Sequence, residues 1–70
     1  MIKNTVQVRP LTIERRLAEK DWRRVQLANE SGVAVTTISN ACRGKPVSVR
    51  TAVLIAKALN VNFDDLLIKQ

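Results

Sequence analysis

Two adjacent arginines, Arg23 and Arg24, stand at the head of a helical run, and two further cations, Arg43 and Lys45, flank Gly44. A guanidinium offers several N–H donors in a planar fork that fits phosphate oxygens. At a helix start such forks add to free backbone N–H groups and to the positive end of the helix dipole, which together make an anion site. Arg23 and Arg24 either point into solvent or meet an external phosphate, since no acidic residue follows them closely in sequence. Between the two basic pairs lies Val35-Thr36-Thr37-Ile38-Ser39-Asn40. If Ile38 and Cys42, at i and i+4, face a core, then Val35, Thr36, Ser39 and Asn40 face outward. An outward valine beside a threonine suits the C5-methyl of thymine in a major groove, and Asn40 can pair a donor and an acceptor with adenine. The bland alternative is an ordinary solvated helix face. Thr37 is expected to bond backbone or phosphate rather than a base edge. At the C-terminal end of this helix, Arg43 and Lys45 are also favourable helix electrostatics in their own right.

These side chains need two short helices crossing steeply around a tight turn, and the stretch Val25–Asn40 has that spacing. Leu27, Ala28 and Ser31 give an inward face to a helix of about Arg24 to Ser31, with Ala28 small enough to let the next helix approach. Gly32 closes it in the left-handed conformation, and Val33 plugs the corner. A second helix is expected over about Val35 to Arg43, ended by Gly44. Upstream, Pro10 disfavours helix at Arg9, so a first helix should begin just beyond it, capped by Thr12 and burying Ile13 and Leu17. Asp21 suits the following reversal. Downstream, Gly44–Ser48 reads as loop. Ser48 caps a largely apolar helix of about Val49 to Leu59, and Asn60 supplies its left-handed end. Asn62 caps a fifth helix whose Phe63, Leu66 and Leu67 close the core. Residues 1–10, with alternating Val6 and Val8, are either an arm or a short edge strand, and residues 11–70 form the domain. The fold class expected is all-α, a compact five-helix domain with its helix-turn-helix at about residues 24–43.

Seventy residues with one cysteine and no histidine leave packing as the source of stability, with no disulfide framework and no plausible zinc site. No secretory signal or membrane-length apolar run is present in the sequence, so a cytoplasmic protein is expected. The formal net charge is +6. Residues 22–50 carry Arg23, Arg24, Arg43, Lys45 and Arg50 against Glu30, a balance of +4, whereas Lys57 and Lys69 cancel Asp64 and Asp65 in residues 51–70. The charge is concentrated around the turn, as a surface for a polyanion would require. Trp22 reads as a core or corner residue. With Phe63 as the only other aromatic, stacking on single strands has little material.

The run Leu27-Ala28-Asn29-Glu30-Ser31-Gly32-Val33, then Thr37-Ile38-Ser39 and Arg43-Gly44-Lys45, resembles the lambda-repressor/Cro-like helix-turn-helix family. The tail Thr51–Val61, closing with Asp65-Leu66-Leu67, is similar to the fourth and fifth helices of the same family, so that the resemblance spans about residues 11–67. It implies sequence-specific binding of double-stranded DNA by a transcriptional regulator, commonly a homodimer on a palindrome. It also implies phosphate contacts from Arg24 and from the Arg43–Lys45 loop. Four positions depart from the family pattern. Arg23 and Ala34 stand where Ser or Thr caps are frequent, and Cys42 and Leu17 replace a frequent glutamate–arginine pair.

A DNA-binding regulator, a repressor by preference, is therefore the expected function, with no cofactor and no metal. The alternative of another class is an antitoxin-like or antirepressor-like module holding a protein partner through Leu54, Phe63 and Ile68. Leu54 is either part of a dimer surface or a more buried residue of the fourth helix. Catalysis is not expected: there is no histidine, no glycine-rich phosphate loop and no nucleophile with an evident base.

Overall fold

A computed structural model of the chain describes residues 4–68; residues 1–3 of the expected arm and the last two residues of the expected domain lie outside the described residues. In chain order the elements are β1 (Thr5–Val6), α1 (Pro10–Lys20), α2 (Arg24–Ser31), α3 (Val35–Cys42), β2 (Val47–Ser48), α4 (Val49–Leu59) and α5 (Phe63–Leu66). The five expected helices are present, and two short strands accompany them.

Helix α1 starts earlier than expected. Pro10 occupies its first turn, where a fixed φ and a missing N–H cost nothing, and Arg9 is the N-cap. Thr12 is therefore not the cap. It lies inside the first turn, its N–H donating to the Arg9 carbonyl at 3.1 Å. Asp21 ends the helix with φ 56°, and the Trp22 N–H closes back onto the Leu17 carbonyl at 2.9 Å. Asn60 does the same for α4 at φ 59°, with the Val61 N–H on the Ala56 carbonyl at 3.0 Å. The Ser48 hydroxyl caps α4 by accepting from the Thr51 N–H at 3.1 Å.

The segment ahead of α1 resolves toward strand. Thr5 and Val6 pair antiparallel with Ser48 and Val47, so the expected Gly44–Ser48 loop ends in β2. Val8 bridges Leu67 and is fully buried. The Arg9 N–H donates to the Leu66 carbonyl at 2.7 Å, and the Ile68 N–H to the Gln7 carbonyl at 3.0 Å. The N-terminal segment thus runs between β2 and the chain after α5, and contributes a side chain to the core.

That core is built from Val8, Ile13, Leu17, Leu27, Val33, Ile38, Ala41, Val47, Ala52, Ile55, Ala56, Leu59 and Leu66. Helix α4 supplies four of these and packs against α1, α2 and α5. Trp22, Leu54, Phe63 and Leu67 are half-buried against the same cluster. Leu54 is accordingly a partly buried α4 residue. Of the three side chains expected to form a protein-contact surface, only Ile68 is exposed.

Candidate nucleic-acid interface

The turn between α2 and α3 is fixed by three bonds. The Gly32 N–H donates to the Ala28 carbonyl at 2.9 Å, the Ser31 hydroxyl accepts from the Val33 N–H at 3.2 Å, and the same hydroxyl donates to the Ala28 carbonyl at 3.5 Å. Gly32 has φ 75°, while a β-carbon there would meet nothing within 4 Å. Backbone conformation, not crowding, selects glycine here. Leu27 and Ile38 anchor the two helices from either side of the turn, both fully buried.

Both helices begin without a side-chain cap. Arg23 and Ala34 hold the extended N-cap conformation, and neither side chain accepts a first-turn N–H. No acidic residue occupies the first turn of either helix. Two neighbouring helix starts therefore keep donors available, and exposed Arg23 and Arg24 stand at one of them.

On α3 the outward face is Val35, Thr36 and Asn40, all exposed, with Val35 at 43%. Ser39 was expected to point outward with them but is half-buried, as is Thr37. The inward face also differs. Ala41 accompanies Ile38 at full burial, and Cys42 lies half-buried at the edge of the core rather than facing it squarely. Residues 41 and 42 straddle the direction of Ile38, three and four positions on, and the smaller side chain takes the tighter place.

The end of α3 is closed by Gly44 at φ 81°, with the Lys45 N–H donating to the Asn40 carbonyl at 3.0 Å. This bond ties the exposed Lys45 to the backbone of Asn40, and Arg43 is the C-cap between them. Gln7 Nε2 donates to the Gly44 carbonyl at 3.3 Å, so the segment before α1 steadies the same loop.

Glu14 of α1 reaches Arg24, with Nη2 donating to Oε1 at 3.2 Å. Ten residues and a helix boundary separate the two in sequence, and no local spacing signals the contact. Cys42 lies close enough to feel both groups. Burial, first, holds its thiol above the ordinary range; the Arg24 charge opposes this and the Glu14 carboxylate reinforces it. A raised folded-state pKa means that the folded form keeps its proton longer than the unfolded chain. Cys42 thus contributes stability that is present below the ordinary thiol range and is lost as pH rises through the folded value. Thermal melts from pH 7 to 10 should show an alkaline loss that is smaller in Cys42→Ala. An identical alkaline slope in both proteins would remove Cys42 as its source.

Val25 is 56% exposed and, with Val35, borders an open groove also lined by Ala28, Asn29, Gly32, Val33 and Ala34. Val25 is absent from the site expected from sequence, although its place one residue after Arg24 puts it beside that site.

Residues 13–66, well over half of the chain, match the helix-turn-helix family. The chain belongs to that family. The match agrees with the lambda-repressor/Cro-like resemblance of the sequence, and it makes this helix-turn-helix domain a member of a family of DNA-binding regulators, which are not typically enzymes. Comparison with curated proteins and with solved structures gives no significant match. Among the described residues, no helix is long and apolar enough to cross a membrane, and no group of three or more His, Cys, Asp or Glu is placed to hold a metal.

Proposed function

We propose that this helix-turn-helix domain is a sequence-specific transcriptional regulator that lays α3 in the major groove of double-stranded DNA. The observation that carries the reading is the exposed Val35-Thr36-Asn40 face, set between the uncapped, arginine-bearing start of α2 and the Arg43–Lys45 turn. Base edges are read by Val35, Thr36 and Asn40, with half-buried Ser39 reaching only the margin of the face. Phosphates are held by Arg23, Arg24, Arg43 and Lys45, with Thr37 assisting. Each domain covers a half-site, and a homodimer on a palindrome is the arrangement in which two such faces meet successive turns of one groove. Repression follows from occupancy, because a domain seated in the groove excludes other proteins from the same base pairs.

Selection of bound sequences from a random duplex pool tests the reading. An enriched palindrome with half-sites about one helical turn apart is expected. Recovery of unenriched sequence would contradict base readout by α3. Arg24→Ala is expected to weaken binding to every duplex alike and to reduce the slope of log affinity against log salt by about one unit. Titrations of one duplex at several salt concentrations measure this, and an unchanged slope would remove Arg24 from the phosphate contacts.

A further inference from the structure

Arg24 is the one proposed phosphate contact that carries a carboxylate partner among the described residues. The other ion pair, Arg16 with Glu19, lies within α1. The Arg24–Glu14 pair joins α1 to the first residue of α2 through a single Nη2, with both side chains about half exposed. A guanidinium has donors to spare, so Arg24 can hold Glu14 and a phosphate together. A phosphate bonded to the same fork then sits within about one Debye length of the Glu14 carboxylate, roughly 10 Å at 0.1 M salt, where like charges repel with little screening.

We infer that Glu14 is a restraint on the phosphate grip of Arg24, and that it limits the sequence-independent affinity of the domain for duplex DNA. The inference rests on Arg24 contacting phosphate as proposed above. Helix α2 has no side-chain cap and no acidic residue in its first turn, so nothing at its own start moderates two adjacent arginines. Glu14 supplies that moderation from a different helix. Because it acts on a backbone contact, it sets how tightly the domain binds and leaves the base preference alone.

Glu14→Gln keeps an acceptor oxygen for Arg24 and removes the charge. The parent, Glu14→Gln, Arg24→Ala and the double variant are titrated with one random-sequence duplex between about 50 and 200 mM salt. Glu14→Gln is expected to bind about 2–5-fold tighter at low salt, the range of an exposed ion pair. Its salt slope should stay close to the parent's, because Arg24 already accounts for about one unit there. The gain should vanish in the Arg24→Ala background, and the thermal melt should match the parent.

If Arg24→Ala weakens binding but Glu14→Gln binds no tighter than the parent, the inference fails and the phosphate reading stands. A gain of equal size in the Arg24→Ala background would show a general charge effect and also overturn it. If Arg24→Ala changes neither affinity nor slope, the phosphate reading itself fails and takes the inference with it.

Discussion

Ile38→Ala is expected to remove most or all of the stability margin, leaving a large unfolded fraction near room temperature and weakening DNA binding with it. Ile38 is fully buried and is the largest side chain that α3 places in the core, where Ala41 adds only a methyl. Truncating a buried isoleucine to alanine costs about 2–5 kcal/mol, through lost transfer energy and the cavity left behind. A domain of this size, with no disulfide or metal to help, draws on the order of 3–5 kcal/mol from its single core. The substitution therefore removes most or all of the margin. Ile38→Val, which removes one methyl, costs about 0.5–1.5 kcal/mol and should stay folded. Circular-dichroism melts of the three proteins measure the order directly. An Ile38→Ala protein melting within a few degrees of the parent would mean that α3 is not held to the core by this side chain.

The second large effect is on recognition. Asn40→Ala is expected to lose about 1–3 kcal/mol at one base position and to leave the other positions of the site as the parent reads them. The substitution is structurally mild: Asn40 is exposed, and its carbonyl, not its side chain, accepts the closing bond from Lys45. Alanine is also the better helix former. The loss should appear as equal binding of the preferred and substituted base at that position, with the thermal melt unchanged. Titrations against a panel of single-base variants of the selected site supply the comparison. If Asn40→Ala ranks that panel in the same order and with the same spread as the parent, Asn40 does not read a base.

The two recognition-site predictions differ in kind because the proposed contacts do. Arg24→Ala is expected to act on all duplexes through counterion release, whereas Asn40→Ala is expected to act on one base pair. The stability and recognition effects are also separable, since Ile38 and Asn40 lie on opposite faces of one short helix.

Local chemistry made the turn motif legible from residues alone. Gly32, Asp21 and Asn60 are read correctly because each marks a left-handed position that few residue types tolerate. Ser48 is read correctly because a serine before an apolar run has one strong use. Pro10 and Thr12 are harder to separate, since proline favours both a break before a helix and the first turn inside one. For β1 the alternation of Val6 and Val8 allows a short edge strand but does not choose it over an arm, and β2 reads as loop. Two residues cannot display a period, and three helices separate Thr5 from Ser48 in the chain. The burial of Val8 depends on the same long-range pairing.

The candidate site divides along the same line. Exposure of Val35, Thr36, Asn40, Arg23, Arg24, Arg43 and Lys45 follows from helix phase and charge. Half-burial of Ser39 and the exchange of Ala41 for Cys42 on the inward face do not, because a period of 3.6 cannot choose between neighbours flanking the core direction. The Glu14–Arg24 contact is tertiary, and only the packing of α1 beside the turn reveals it.

The central claim is that one face, made by the start of α2, the outward side of α3 and the turn after it, meets duplex DNA. Mapping backbone amide chemical shifts of the labelled domain during titration with its selected duplex tests this most directly. The largest changes are expected on Arg23–Val25, Val35–Asn40 and Arg43–Lys45, while α5 and the β1 strand change little. Changes centred on α4, α5 or β1 at saturating DNA, with the turn and α3 unmoved, would contradict it.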